Sequence, residues 1–239
     1  GAVIDWSDLS ATPNGGGDIY IFNSDAVEIE QIIIKGGFAG VGFNYAKNVL
    51  FSDLENVTLA QLDAALNLYG SNPTFENVFQ TAKYSTQRSK GNNTYHELIQ
   101  LEFRTAQSAI KQGFNAEKVA AINNILLLWE ESLAAQIILY SFDVIDYFTK
   151  TTITDEDRSK SCHAWGEAVG MLHGFYKVTG KKITDAQIES VLENLNATTN
   201  GLGKPAEIEG DLTKLANVTA AIDELAAIYG LNKNDHKRN

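Results

Sequence analysis

The segment INNILLLWEESLAAQIILYSFDVIDYF, Ile122 to Phe148, decides the fold. As a helix it runs about 40 Å at 1.5 Å per residue, enough to cross a bilayer. It is apolar on nearly every face, yet Glu130 and Glu131 sit near its middle, Gln136 follows, and Asp143 and Asp146 lie toward its end. Carboxylates at such depths are costly in lipid. A helix apolar all round but interrupted by charge reads instead as the central, buried helix of a bundle. We therefore expect no transmembrane span in this chain.

The neighbours of this segment carry helix signals of their own. Asn115 is placed to cap the central helix from Ala116 to Phe148. Upstream, Thr94 and Glu97 have capping-box spacing and start a helix that reaches about Gln112 and stops at Gly113. Downstream, Thr154 with Asp157 starts a helix to about Val178, and Thr184 with Gln187 starts another. Leu215, Val218, Ile222, Leu225 and Tyr229 form one face of a last helix, Leu212 to Tyr229, with Gly230 as its C′ residue. Nearer the start, a helix is expected from Ser24 to Leu50, and Thr58 with Gln61 opens one that ends at Gly70. Phe75, Val78, Phe79 and Ala82 repeat the helical period, whereas polar Ser85 to Asn93 reads as a loop. Asp18 to Phe22 is a candidate strand without an obvious partner. The fold class is all-α: an antiparallel bundle of seven to eight helices over residues 19–231, after an irregular segment 1–18 and before a flexible tail 232–239.

Composition narrows the function. The net charge is −11, and no basic run precedes the tail His236-Lys237-Arg238. Such a surface repels a nucleic-acid backbone and steers in a metal ion or cationic ligand. A single cysteine, Cys162, excludes an internal disulfide and a zinc ribbon. Cys162 and His163 are adjacent on a helix and diverge by about 100°, so they do not form a nucleophile–base pair.

The stretch from Cys162 to Gly174 concentrates the remaining chemistry. One helical face holds His163, Gly166, Glu167, Gly170, His173 and Gly174. Three interior glycines cost about 3 kcal/mol against alanine, so close packing or a groove must offset them. Gly36, Gly37, Gly40 and Gly42 form a second glycine-rich surface, a candidate partner for the first, and not a phosphate loop because no Gly-Lys-Ser/Thr follows. His163 and Glu167, at i and i+4, are the candidate metal ligands. Glu130, Glu131, Trp165 and His173 are the candidate ligand-binding residues. A buried His–Glu hydrogen bond is the alternative reading of the pair. His96 in a first helical turn is expected to be exposed, and His236 to lie in a frayed tail.

Four stretches resemble domain-of-unknown-function family 4856, which is similar to the imelysin-like bacterial envelope proteins. They are Glu28 to Gly40, Trp129 to Tyr140, His163 to Gly174 followed by Ile183 to Ile188, and Leu225 to Leu231. The family's mid-chain histidine helix has its nearest match in Leu62 to Gly70, which has no histidine, and the imelysin motif Gly-x-His-x-x-Glu is missing. No catalytic residue is carried over. The resemblance implies a helical bundle and a periplasmic or surface protein, lipid-anchored in its full length. It also implies a role tied to uptake of iron or another nutrient, with a small ligand or a divalent metal or iron bound between helices and an envelope protein as partner. The chain opens with Gly1-Ala2-Val3, so an export signal or anchor is expected upstream of this sequence. A metallopeptidase-like enzyme and a purely structural interaction module are the competing readings.

Overall fold

The computed structural model of the chain describes residues 12–13, 19–76, 78–88, 95–200 and 202–238. Among these, eight α-helices pack as a bundle: α1 Ile29–Gly37, α2 Leu59–Tyr69, α3 Gln80–Arg88, α4 Tyr95–Gln112, α5 Asn115–Phe148, α6 Asp155–Phe175, α7 Asp185–Asn194 and α8 Leu212–Tyr229. The central helix is α5. It packs against α3, α4, α6 and α8, while α1 lies along α6. By length and hydropathy α5 alone among the described helices could cross a membrane, but 78% of its most apolar window is buried by the rest of the protein.

Helix starts follow the capping chemistry. Thr58, Thr154 and Thr184 each accept from the backbone N–H three residues on, and Gln61, Asp157 and Gln187 reach back to complete the box. Gly70 and Gly230 close α2 and α8 with left-handed φ of 100° and 71°. Thr94 lies outside the described residues.

Several boundaries differ from expectation, each for a local reason. The first helix starts at Ile29 and not at Ser24, because Asn23 Oδ1 accepts from the amides of Asp25 and Val27 and Ala26 takes a φ of 63°. It then continues to Leu50 largely in π-helical geometry, Phe38–Phe43 and Ala46–Leu50. Asn115 is the first residue of α5 rather than its cap, and its Oδ1 accepts from Lys118 Nζ at 3.1 Å. The helix α6 stops at Phe175, before Val178. The polar run beginning at Ser85 is not all loop, since α3 extends to Arg88. The Ser85 and Thr86 hydroxyls return bonds to the carbonyls of Thr81 and Ala82, so polar residues stay helical, and Ser85 reaches Ser132 on α5 at 2.9 Å. Residues 89–94 lie outside the description. The candidate strand has a partner after all: β1 Thr12–Pro13 pairs antiparallel with β2 Ile19–Tyr20.

Aromatic rings lock the centre. Trp129 on α5 meets Tyr69 of α2 edge-on at 5.3 Å and Phe43 at 6.0 Å, and Phe43 meets Phe175 of α6 at 5.5 Å. Truncating one such buried ring to alanine costs about 3–5 kcal/mol.

The two glycine surfaces face each other. A Cβ on Gly174 would lie 2.4 Å from the Gly36 carbonyl oxygen, and one on Gly170 would lie 2.8 Å from Ile32 Cα. A Cβ on Gly36 would lie 3.2 Å from the Gly170 oxygen. Close backbone approach, and not an open groove, accounts for these glycines.

Candidate functional site

The contact of α1 with α6 sets the site. It carries Lys35 of α1 to Glu167 of α6, where Nζ meets Oε1 at 2.7 Å with both side chains buried. Tyr140 of α5 donates to the same oxygen at 2.9 Å. Lys35 also donates to the Tyr84 hydroxyl of α3 at 2.5 Å, with its ammonium 5.0 Å from that ring's centroid. Burial works to lower the Lys35 ammonium, but Glu167 and Tyr84 outweigh it and hold it above the usual lysine value. Burial, with the Glu167 charge, pushes the Tyr140 hydroxyl well up. Both groups therefore stay protonated at neutral pH and act as donors.

This cluster is the floor of a cavity of about 570 Å³. Lys83, Gln87 and Arg88 of α3 line it, together with Gln136 and Leu139 of α5 and Arg238 of the C-terminal segment. That segment is not the flexible tail expected. Asn232 caps a 3₁₀ turn over Lys233–His236, His236 is fully buried, and Arg238 forms a two-pronged pair with buried Asp143 at 2.7 Å on each prong. Arg88 is 8% exposed; its Nη1 is 3.5 Å from the His236 carbonyl oxygen, and its Nε has no hydrogen-bond partner. Gln136 is 2% exposed, and its Oε1 likewise has none.

The residues singled out from the sequence are dispersed. His163 is partly buried: Nδ1 meets Glu28 Oε2 at 2.6 Å, Nε2 stands 3.5 Å from Glu167 Oε2, and Tyr20 stacks on the ring at 4.2 Å. It ties the residues before α1 to α6. Among the described residues, no group of three or more His, Cys, Asp or Glu side chains is arranged to hold a metal ion. Of the two metal candidates, Glu167 alone lines the cavity.

Glu130 is a latch. It accepts from the amides of Lys182 and Ile183 and from the Tyr229 hydroxyl, at 2.7–3.0 Å, which pins the loop before α7 and the end of α8 to the central helix. Glu131 stands 3.4 Å from Lys182 Nζ, and burial raises its carboxyl. Trp165 is wholly buried in the core and donates to the Leu195 carbonyl at 2.6 Å. His173 lies in the last turn of α6, its Nε2 buried without a partner and its ring held below the usual histidine value by burial. His96, expected at the surface, is 9% exposed beside Tyr69, whose hydroxyl is 3.3 Å from Nδ1. Cys162 is fully buried, which pushes its thiol up and removes it as a nucleophile.

The cavity residues missed from sequence left faint signals. Gln136 and Tyr140 are polar positions at i and i+4 within an apolar helix, and Lys35 follows three isoleucines. Arg88 falls in the polar run from Ser85 to Asn93, which reads as a loop, and Arg238 in the segment 232–239, which reads as a tail. No family model matches the chain, and no curated protein and no solved structure matches it.

Proposed function

We propose that this is a non-catalytic binding protein that takes a small polar molecule in the cavity between α1, α3, α5 and α6. The cavity itself carries the reading. Its volume of about 570 Å³ falls in the range of small-molecule sites. Its lining residues Lys83, Gln87, Arg88 and Arg238 offer polar side chains to a ligand, and Arg88 Nε and Gln136 Oε1 are buried without a hydrogen-bond partner. Binding is favoured over catalysis because Lys35 and Tyr140, the ionisable groups on its floor with displaced proton affinities, are moved away from neutrality, whereas a general base works best near it. A molecular ligand is favoured over a bare metal ion because Glu167 already neutralises Lys35.

The four sequence stretches support placing the protein with the imelysin-like envelope proteins, at the periplasmic or outer surface. A role in uptake of iron or another nutrient rests on that resemblance alone.

The test is native mass spectrometry after incubation with a bacterial metabolite extract, using wild type and Gln87→Trp. Gln87 is an exposed wall residue, so a tryptophan there fills the cavity without entering the core. A small-molecule adduct on wild type that is lost in the variant supports the proposal. Identical spectra, or no adduct on either, count against it.

A second reading, a protein-interaction module, is favoured by one observation. Ile33, Val41, Tyr45 and Val49 on the first helix are 69%, 65%, 48% and 49% exposed. If it holds, the paired substitutions Ile33→Asp and Val41→Asp would abolish a self-association or partner complex seen by sedimentation.

A further inference from the structure

The charges around the cavity run opposite to those of the chain. The net charge is −11, yet Lys35, Lys83, Arg88 and Arg238 line this one space. Two of the four are neutralised: Lys35 by Glu167 and Arg238 by Asp143. Lys83 and Arg88 have no ion pair among the described residues. For exposed Lys83 that is ordinary. For Arg88 it is not, because a buried guanidinium with no carboxylate at ion-pair distance recovers only part of its desolvation cost, and the nearby Asp143 charge is shared with Arg238. Burial, then the neighbouring Arg238 charge, hold it below its usual value against the opposing pull of Tyr140 and Asp143. Long-range repulsion from the acidic surface does not cancel this. Screening acts over about 8 Å at physiological ionic strength, so the nearest charges dominate inside the cavity.

We infer that the cavity selects an anion, a small molecule bearing a carboxylate or phosphate group, with Arg88 as its main contact and Lys83 and Arg238 beside it. The inference rests on the cavity being a ligand site, as proposed above, and adds the class of ligand. A planar guanidinium matches the paired oxygens of a carboxylate or phosphate. The two unpaired cations suit a group of two negative charges. Gln136 and Tyr84 also line this space and carry no charge that would repel an anion.

The test is calorimetric titration at constant ionic strength with citrate, glucose 6-phosphate and inorganic phosphate, and with neutral glucose and cationic spermidine as counter-probes. Wild type is expected to bind at least one anion and neither counter-probe. Citrate binding alone would assign a carboxylate, and binding of either phosphate probe alone would assign a phosphate. Lys83→Gln, on an exposed position that leaves the fold intact, should weaken the anion several-fold, and Arg88→Gln by about 10- to 100-fold. Arg88→Lys, which keeps the charge but not the fork, should fall between. Glucose or spermidine binding that Gln87→Trp abolishes, with no anion bound, would overturn the anion assignment and leave the ligand site standing. Failure of every anion to bind would also overturn it, and the extract experiment then decides separately whether the cavity binds anything. Anion binding unchanged in both Lys83→Gln and Arg88→Gln would overturn it as well.

Discussion

Alanine in place of Gly174 puts the packing of α1 on α6 to a direct test. In isolation the change favours the helix by about 1 kcal/mol. In the folded protein the new methyl would stand 2.4 Å from the Gly36 carbonyl oxygen and 3.0 Å from the Ala39 Cβ. Neither is the loose end of a flexible side chain, so the helices themselves must separate. Overpacking of this kind costs about 1–3 kcal/mol, and immovable backbone puts Gly174 at the upper end. The net is a loss of about 2 kcal/mol once the helix gain is subtracted. For a domain of this size that lowers Tm by about 4–8 °C. Gly37→Ala is the control, since nothing lies within 4 Å of its would-be Cβ. It should leave Tm unchanged or raise it by a few degrees. Differential scanning calorimetry on both variants is the assay. Gly174→Ala as stable as wild type would refute the close approach and return the glycines to the role of a groove wall.

Glu130→Gln keeps one acceptor but turns an amide toward the Lys182 and Ile183 N–H groups, and should cost about 1–3 kcal/mol in urea unfolding. Glu167→Gln leaves the buried Lys35 ammonium uncompensated and should cost about 3–5 kcal/mol, with Lys35→Met plus Glu167→Leu recovering most of it. Burial works to raise the Asp157 carboxyl, but hydrogen bonds from Lys150 and Thr154 outweigh it and lower the carboxyl to about 2. A depressed carboxyl stabilises the fold above its unfolded value and loses that contribution as pH falls toward 2, so Asp157→Asn should flatten the acid limb of a pH–stability curve below about pH 4.

The bundle was legible because its signals are local. Three threonine capping boxes, Gly70, Gly113 and Gly230 mark helix ends through contacts within a few residues, and those are what a sequence displays. The meeting of Gly36 and Gly40 with Gly170 and Gly174 was legible for a different reason: glycine inside a helix is costly, so its presence demanded a partner surface. The cavity was not legible, because it is assembled from α1, α3, α5, α6 and the C-terminal segment, and no two of its chemical groups need a fixed sequence spacing. The histidine-centred reading of Cys162 to Gly174 followed residue type. Type alone does not reveal that His163 is engaged by Glu28, 135 positions away. Nor did the overall charge of −11 reveal the cations gathered around one cavity, since a sum over the chain carries no positions.

The most direct measurement follows the Arg88 Nε–H resonance by NMR, assigned by its loss in Arg88→Lys, during titration with citrate, glucose 6-phosphate and inorganic phosphate. Binding in the cavity predicts that at least one of the three moves this resonance in a saturable way, and that Gln87→Trp abolishes the movement. A resonance unmoved by all three would contradict the account.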